Sequence, residues 1–533
     1  MNKFKKASSW IETFNNPSGE FASFLKSIYG DDSAEINEKV KNYITVLESF
    51  IKKYGDEEVV ISRAPGRINL MGRHIEHRGG NINTIAINKE TVMVASVRCD
   101  DTVSISNTNS RFGDFSFSLS EELKRFSTDT WIEYIDSNEV KEAVSQNKGH
   151  WVNYVKGAML RFGFHANKPL KGMNIMCLGT VPVAGGVSSS SSIVVATAEL
   201  TAEINDIGVD VEEFIGLCGQ GEWYVGSRGG AGDHAAIKCG LLNSVCPIEF
   251  EPIHVLEPIS VPEKYSVIVA NSFVEAKKSE SAKDKFNQMV ASYEFGVMLF
   301  KKEFPEYKDK IIHLRDINPY NLNISESKLY TMLKSIPLYL SPDELFEVIP
   351  EEYHEKVKKI ISSHQKPQVY NLRSALIYGI TECERSRMAP KLLAEGNFEE
   401  FANLMNISHN GDRVACLTDG NVCDYNYIVT DEILDSLICK SESGISGSEL
   451  YMQPGGYGCS IEQIDILIDR VIKQKGVLGA QISGAGLGGC IMIFCEKKVI
   501  WEIMDFLNNE YYIPNGFDNG AMIVKPQRGS MCL

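Results

Sequence analysis

The chain has 533 residues, a length typical of about three domains, with 43% hydrophobic and 23% charged residues. This composition is that of a globular protein and excludes a disordered chain or a fibre. The 54 Lys and Arg residues against 70 Asp and Glu give a net charge of −16, which argues against broad binding to nucleic acids or to anionic membranes.

Targeting and redox signals are absent from the sequence. No apolar run reaches the roughly 18 residues of a membrane span, and the segment from Met1 to Trp10 lacks the apolar core of a secretory signal. The thirteen cysteines include no Cys-x-x-Cys pair, a pattern that favours reduced thiols over disulfides or a zinc site. We therefore expect a cytoplasmic protein that binds neither membrane nor nucleic acid. The sequence leaves its oligomeric state open.

The first predicted elements are helical. Residues 1–55 form a helical N-terminal extension, since their apolar residues recur mostly at spacings of 3 and 4. Two β-rich runs follow, one at Val59–Ile61 that we expect to end at Ala64-Pro65-Gly66, and one at Ile82–Val97. Residues 100–150 are polar and poorly periodic, which predicts a surface excursion. The pattern then predicts a helix at Trp151–Phe162, a strand at Met173–Leu178, and helices at Ser189–Ile204 and Val211–Val225.

The pattern changes near Pro262. Tyr265–Ala270 reads as a buried strand, and residues 284–440 are largely helical. A Gly- and Ser-rich loop at 440–460 and a helix at Ile461–Lys475 precede a glycine turn between two strands. The sequence thus predicts an α+β chain of two main domains, 56–262 and 263–533, behind the extension 1–55.

Three segments carry candidate chemistry, and the central one runs from Gly179 through a Gly-rich stretch to five serines, Ser188–Ser192. Small residues allow a ligand close to the backbone, and a following helix N-terminus offers unpaired N–H groups. This arrangement predicts a phosphate-binding loop, with a flexible linker or a plain N-capped helix as the alternatives. The dipeptide Gly-Lys does not occur, so a Walker loop is excluded.

The other two segments are weaker when taken alone. Ser62–Gly80 contains four arginines, two histidines and a glutamate, interrupted by Pro-Gly and Gly-Gly. It is either a folded polar loop or a solvated charged face. The Gly-rich turn Ile482–Cys490 lies between two β-rich runs and is either a nucleotide contact or a tight hairpin.

In this order and spacing, the three segments resemble the motifs of the GHMP kinases, and within them the galactokinase branch. Arg63–Gly72 looks like the first motif of that branch, Pro182–Ser192 like the ATP-binding loop and Gly484–Gly489 like the third motif. The resemblance covers roughly residues 57–272 and 370–500. It implies a two-domain α+β kinase with its active site between the domains, which uses ATP and Mg²⁺ to phosphorylate the anomeric hydroxyl of a small sugar.

The resemblance also implies roles for particular residues. Asp233 ends a Gly-rich turn in which His234 replaces the family's usual Gln, and would orient or deprotonate the sugar hydroxyl. Arg67 would hold Asp233 ionised and stabilise the transferred phosphate. For Asp233, a carboxylate that caps a Gly-rich turn is the alternative. Mg²⁺ would be shared by Ser190 and Glu222. The implied ATP-binding residues are Pro182, Gly185, Gly186, Ser188, Ser189, Ser190, Gly484 and Gly486.

The stretch Gly72–His77, here called the sugar motif, departs from the family pattern. Galactokinases usually read Gly-Glu-His-Thr-Asp-Tyr, whereas this chain has Arg73 in place of the Glu that faces the C6 hydroxyl, keeps His74, and has Glu76 for the Asp. Lys283 lies about where galactokinases place a tyrosine against the sugar. An arginine would suit a carboxylate at C6, and the motif is similar to that of galacturonokinases. D-Galacturonate is therefore the expected substrate.

Other interpretations remain open at this point. Arg73 could instead form a structural ion pair, for example with Glu76 or with a carboxylate outside the site. The substrate would then be a neutral sugar such as galactose or N-acetylgalactosamine. A non-catalytic, galactokinase-like sugar sensor is a further alternative, although Arg67, Asp233 and the serine run are all present.

Overall fold

The computed structural model of the protein describes residues 3–183, 185–226, 229–274 and 280–533, the side chains of 280–283 excepted. Its architecture is α+β: the helices accompany two main sheets, one of ten strands and one of four. The predicted fold class is confirmed. Among these residues, no helix is both long and apolar enough to cross a bilayer.

The N-terminal residues fold into one short strand and three helices: β1 (Lys5–Lys6), α1 (Ala7–Asn15), α2 (Gly19–Tyr29) and α3 (Ser33–Tyr54). Asp32 caps α3 by accepting hydrogen bonds from the first free backbone N–H groups of the helix. The apolar face of α3, including Tyr43, Leu47 and Phe50, is fully buried against one face of the first sheet. The extension therefore covers the sheet.

The first sheet has ten strands, of which the central ones follow the order β1-β2-β3-β6-β4-β5, and β7 also pairs with β3. All neighbours in that order are antiparallel except β4 and β6, which are parallel. The strands after β1 are β2 (Glu58–Met71), β3 (Ile82–Val97), β4 (Thr102–Asn107), β5 (Phe115–Ser118), β6 (Met173–Gly179), β7 (Ser244–Glu249), β8 (His254–Val255) and β9 (Ile259–Ser260).

Strand β2 does not end at Ala64-Pro65-Gly66 as the sequence predicts. It continues to Met71 because its pairing with β3 shifts register between Pro65 and Arg67. A β-bulge tolerates a proline, which has no N–H to donate to the ladder. The predicted end of the strand is therefore wrong, and its continuation carries Arg67 beyond the bulge.

Seven helices belong to this part of the chain: α4 (Leu119–Leu123), α5 (Trp131–Asp136), α6 (Asn138–Gln146), α7 (Val152–Ala166), α8 (Ser189–Asn205), α9 (Val211–Glu222) and α10 (Gly232–Cys239). The prediction that residues 100–150 form a surface excursion is wrong. Phe117, Trp131 and Tyr134 are buried in the same core as α7 and α8. The elements there are too short for their apolar residues to show a periodic pattern.

The second part of the chain is largely helical, as predicted. Its helices are α11 (Glu280–Glu303), α12 (Pro319–Leu322), α13 (Glu326–Leu333), α14 (Pro342–Val348), α15 (His354–Ile361), α16 (Arg373–Ala394), α17 (Phe398–Asp412), α18 (Asp431–Glu442), α19 (Glu462–Val471) and α20 (Ile500–Leu507).

A second sheet of four antiparallel strands has the order β15-β16-β10-β17. The strands of the second part are β10 (Tyr265–Asn271), β11 (Tyr339–Leu340), β12 (Tyr370–Asn371), β13 (Ala415–Thr418), β14 (Asn421–Asp424), β15 (Val477–Ile482), β16 (Cys490–Glu496), β17 (Ala521–Val524) and β18 (Met531–Cys532). The sheet changes between β9 and β10, near Pro262. The domain limits stay a prediction, and β18 departs from them because it pairs with β2 of the first sheet.

A buried ionic cluster lies where α2 and α3 meet the first sheet. The carboxylate of Glu90 accepts a hydrogen bond from Arg63 Nε at 2.7 Å and lies 3.5 Å from Lys39 Nζ, and Tyr29 also donates to it. All four side chains are within 4% of full burial. Burial acts to raise the pKa of Glu90, but the two cations outweigh it and lower the pKa. Glu90 is thus the carboxylate that pairs with Arg63, and it shares Lys39 with Glu35, whose Oε1 lies 3.7 Å from Lys39 Nζ.

Substitution Glu90→Gln is expected to lower the free energy of unfolding by about 3–5 kcal/mol, because it leaves the buried Arg63 charge without its carboxylate partner. Urea denaturation measures the change. The control is Asp100→Asn, which removes the partner of Arg98 in an exposed pair and should leave the transition where it is. A Glu90→Gln variant as stable as the wild type would contradict this account.

Candidate active site

A cavity of about 250 Å³ opens between the first motif, the turn before α10 and the third motif. It brings together segments that are more than 400 residues apart in sequence. Its lining includes Arg67, Asn69, Arg73, His74, Glu76, His77, Ile82, Thr84, Gly219, Glu222, Trp223, Gly229, Gly230, Gly232, Asp233, His234, Phe286, Gly484 and Ala485.

Arg67 and Asp233 lie side by side in this cavity. Arg67 projects from β2, and Asp233 is in the first turn of α10. Arg67 Nε and Nη2 are 2.7 and 2.6 Å from Asp233 Oδ1, and the Ser188 hydroxyl donates to Asp233 Oδ2. The side chain of Asp233 keeps 39% of its exposure, so the carboxylate is fixed in place and still accessible from the cavity.

The electrostatics keep this carboxylate charged. Desolvation acts to raise the pKa of Asp233, but the Arg67 guanidinium and the Ser188 hydroxyl outweigh it, so the pKa lies below its usual value. A carboxylate ionised at neutral pH can accept a proton or a hydrogen bond from a substrate hydroxyl. Asp233 therefore has the charge state that a proton acceptor needs.

The Gly- and Ser-rich loop between β6 and α8 closes one side of the site. Gly186 and Ser188 both have left-handed backbone angles, φ +68° and +63°, and α8 begins at Ser189. The Gly186 carbonyl accepts hydrogen bonds from Arg67 Nη1 at 2.9 Å and from Ser483 Oγ at 3.3 Å. The Gly186 carbonyl thus joins the loop to Arg67 of the first motif and to Ser483, which directly precedes the third motif.

The third motif packs tightly against this loop. A Cβ added at Gly484 would lie 3.2 Å from Gly186 O, and one at Gly486 only 2.2 Å from Cys459 O. Both glycines have positive φ, +73° and +80°. A larger residue at 484 would therefore push the third motif away from the loop, and one at 486 would clash with the backbone of Cys459. Pro182 and Gly185 are also in contact, since a Cβ at Gly185 would lie 3.2 Å from Pro182 Cβ.

Glu222 reaches the cavity from the end of α9. Its Oε2 accepts a hydrogen bond from Ser191 Oγ at 2.9 Å and lies 2.8 Å from His234 Nε2. The hydroxyl in contact with Glu222 is thus that of Ser191, the neighbour of the predicted metal ligand Ser190. His234, noted in the sequence only as a departure from the family, is 98% buried and holds the carboxylate from the other side.

Arg73 does not present a free charge to the cavity. Its Nη2 donates to Asp412 Oδ2 at 2.8 Å and to Ser408 Oγ at 3.0 Å, and its Nη1 donates to Gln481. The side chain is 2% exposed. This is the ion pair with a carboxylate outside the sugar motif that the sequence left as an alternative. Arg73 lines the cavity with its charge already paired, so its contact with a C6 carboxylate stays a prediction that this paired charge does not support.

Of the other residues predicted to contact the sugar, His74 and Glu76 line the cavity. His74 lines the cavity and stacks on Tyr457 with ring centroids 4.7 Å apart. Burial lowers the pKa of His74, so its ring is neutral at neutral pH. Glu76 also lines the cavity and packs closely on Gly230, where an added Cβ would lie 2.9 Å from Glu76 Cγ. The side chain of Lys283 lies outside the described residues.

Several residues of the site carry no signal in the sequence. Phe286 lies in a helix that shows only ordinary amphipathic spacing, and Trp223 and Ala485 directly follow residues that were singled out. Asp412 and Gln481 lie in a helix and a strand with no unusual neighbours. Only contacts across the fold reveal that they reach Arg73.

One buried group resembles a set of metal ligands. The ligand atoms of His74, Asp412 and Cys459 lie within 4.8 Å of one another. However, Arg73 already neutralises Asp412, and burial raises the pKa of the Cys459 thiol, which therefore stays neutral. A group without surplus negative charge is a poor site for a divalent cation.

Comparison with known proteins gives consistent matches along the chain. Family models match at residues 48–97 (galactokinase galactose-binding signature), 153–241 (GHMP kinases N terminal domain) and 448–513 (GHMP kinases C terminal). A galactokinase of Dictyostelium discoideum is 24% identical over 94% of this chain and 93% of its own length. A galactokinase of Clostridium beijerinckii is 22% identical over 91% and 98%.

Among solved structures, the Lactococcus lactis galactokinase complexed with galactose superposes with a TM-score of 0.63. It is 21% identical to this chain, and the match covers 91% of this chain and 98% of that one. This likeness supports the fold.

Substitution Arg67→Met is expected to raise the pKa of Asp233, because it removes the main charge that lowers it. Carboxyl ¹³C NMR during a pH titration measures this. The pKa of Asp233 is lower in the folded protein than in the unfolded chain, where a carboxyl has a pKa of about 3.9. The Arg67–Asp233 pair therefore stabilises the folded protein above that pH, and this stabilisation is lost as the pH falls through the pKa of the folded state. Arg98→Met, which breaks an exposed pair with Asp100, is the control. If the pKa of Asp233 is the same in Arg67→Met as in the wild type, Arg67 is not the group that keeps Asp233 ionised.

Proposed function

The chain belongs to the galactokinase branch of the GHMP kinase superfamily, and from this premise we propose that it is a sugar 1-kinase that transfers the γ-phosphoryl group of ATP to the anomeric hydroxyl of galactose. The observation that supports it most is Asp233, held ionised by Arg67 on the wall of the cavity. The same cavity is bounded by the sugar motif and by the third motif, which packs on the phosphate-loop candidate.

Asp233 and Arg67 share the chemistry in this proposal. Asp233 accepts the proton of the anomeric hydroxyl, whose oxygen forms the new bond to the γ-phosphorus while the bond to the bridging oxygen breaks. Arg67 holds Asp233 in its charged form and places positive charge beside the developing phosphate charge. Ser188 fixes the second oxygen of the carboxylate, so that one lone-pair direction stays aimed at the substrate.

Nucleotide binding is assigned to the loop and to the third motif. Gly185, Gly186 and Ser188–Ser190 lead into the N-terminus of α8, a helix of 17 residues whose first backbone N–H groups suit phosphate oxygens. Gly484 keeps the third motif close enough to the loop to form the opposite wall, and Gly486 lets the same motif pack on Cys459. Pro182 shapes the entry to the loop.

The residues near α9 also fit Mg²⁺. The Glu222 carboxylate and the neighbouring serine hydroxyls are hard oxygen ligands of the kind that this ion prefers. Ser190 and Glu222 would hold the ion, and Ser191 and His234 fix the orientation of Glu222. When bound, Mg²⁺ neutralises charge on the phosphates of ATP.

A neutral sugar fits the cavity better than a uronate. The Arg73 charge is paired with Asp412, His74 is neutral because burial lowers its pKa, and the Glu76 carboxylate would repel a carboxylate at C6. The relatives named galactokinase favour the same choice. Galactose therefore replaces galacturonate as the proposed substrate.

Substitution Asp233→Asn should lower kcat by about 10²–10⁴-fold, because an amide cannot accept the proton. Galactose binding, followed by calorimetry without nucleotide, should stay within about threefold of wild type. The control is Asp206→Asn, which changes an exposed carboxylate after α8, away from the cavity. A variant that keeps more than about a tenth of wild-type turnover would exclude Asp233 as the proton acceptor.

A substrate panel with ATP and Mg²⁺ tests the choice of sugar. The kcat/KM for galactose should exceed that for galacturonate by at least about tenfold, since an unpaired carboxylate beside Glu76 has no cation to bind it. Coupled measurement of ADP release gives the rates, with N-acetylgalactosamine as the third sugar. Faster turnover of galacturonate would restore the uronate hypothesis, and turnover of none of the sugars would refute the proposed function.

A further inference from the structure

The turn that carries His74 is held by several hydrogen bonds with residues of the second part of the chain. The backbone N–H groups of Gly72 and Arg73 donate to Glu382 Oε1 at 2.9 and 3.2 Å. Gln481, which accepts from the Arg73 guanidinium, donates in turn to the Leu70 carbonyl at 2.6 Å. The sugar motif is therefore fixed against α16, α17 and β15.

These hydrogen bonds hold His74 and Gly72 in backbone conformations that the turn would not keep by itself. His74 has φ +64°, a left-handed conformation that is uncommon for residues other than glycine and costs free energy. Such a conformation persists only where the surroundings impose it. The preceding Gly72 has φ +97°, and a Cβ there would lie 2.0 Å from Asn81 O. The turn thus depends on contacts from outside its own segment.

Asp412 lies between Arg73 and His74. Its Oδ2 accepts hydrogen bonds from Arg73 Nη2 at 2.8 Å and from the Tyr378 hydroxyl at 3.0 Å, and its Oδ1 faces His74 Nε2 at 3.6 Å. Both His74 Nε2 and Asp412 Oδ1 are buried without a hydrogen-bond partner, so at 3.6 Å they face each other in an electrostatic contact that is longer than a hydrogen bond. The carboxylate is fully buried, so the Arg73 charge is what compensates it.

The position of Asp412 has a consequence for the tautomer of His74. A neutral imidazole has one N–H donor and one acceptor nitrogen. A carboxylate facing Nε2 favours the proton on that nitrogen, which leaves Nδ1 as an acceptor. An acceptor on the cavity side suits a sugar hydroxyl as its donor.

We propose that Asp412 and Arg73 are positioning residues: Asp412 holds His74 in the Nε2–H tautomer and orientation that accept a sugar hydroxyl, and Arg73 holds Asp412. Asp412 does not line the cavity, and the guanidinium of Arg73, which does, is already bound to Asp412 and Ser408. The role of the pair in sugar binding rests on the proposed function, whereas the tautomer of His74 does not.

Substitution Asp412→Asn tests the pair. The amide keeps the shape but removes the acceptor charge, and we expect the Kd and KM for galactose to rise about 10- to 100-fold. The KM for ATP should stay within about twofold, because the loop that binds it does not contact Asp412. Arg73→Lys keeps the charge and should weaken galactose binding less than Arg73→Met does.

The matched control is Glu90→Gln, which breaks another buried Arg–carboxylate pair, remote from the cavity. It should lower the melting temperature and leave galactose binding unchanged. If Asp412→Asn affects only the melting temperature, as this control does, the pair is purely structural and the proposal is wrong.

The ¹⁵N NMR spectrum of the histidine rings gives a readout that is independent of sugar binding. In the wild type, His74, assigned by His74→Gln, should be the Nε2–H tautomer, and this signal should shift in Asp412→Asn or, should that variant not fold, in Arg73→Met. An Nδ1–H tautomer in the wild type would overturn the proposal. If the tautomer is as expected but galactose does not bind, the proposed function fails while the orientation of His74 by Asp412 stands.

Discussion

The site depends on one arginine that joins three elements. Arg67 leaves β2 just after the bulge, binds Asp233 at the start of α10 and donates to the Gly186 carbonyl of the phosphate-loop candidate. The carboxylate proposed as the proton acceptor, a loop and a strand are thus fixed relative to one another by a single guanidinium. The planar fork of arginine suits this task, since it makes several directed hydrogen bonds with one charge. The backbone of Arg67 belongs to β2, which lies inside the first sheet, so the point from which the side chain extends is held rigidly.

The segments that carry chemistry could be found in the sequence because each is local. The serine run after a strand, the Arg-Ala-Pro-Gly-Arg stretch and the Gly-rich turn each combine residue types that ordinary loops do not need. The strand predicted at Ile82–Val97 has the observed limits, because β-branched residues recur along the whole segment from Ile82 to Val97. Local composition was sufficient to find these elements. The resemblance to a family then predicted that they meet at one site between two domains.

Other features could not be predicted because they depend on contacts that are distant in sequence. Arg73 looks like a ligand for an anion until Asp412, more than 300 residues away, is found at its guanidinium. The role of Ser191 beside Glu222 depends on the rotation of one helix by a single position. Residues 100–150 look polar because their few aromatic anchors are spread over short elements. In each case the partner, and not the residue itself, decides the role.

The path of the chain end constrains how the two sheets can move. The polypeptide passes from the first sheet to the second between β9 and β10 and returns between β17 and β18, where Met531 pairs with Arg63. The two halves are therefore not free bodies, and a buried apolar cluster that includes Ile68, Val187 and Phe494 packs them together. The cavity lies between those halves. Its walls are thus joined by two passages of the backbone as well as by packed side chains.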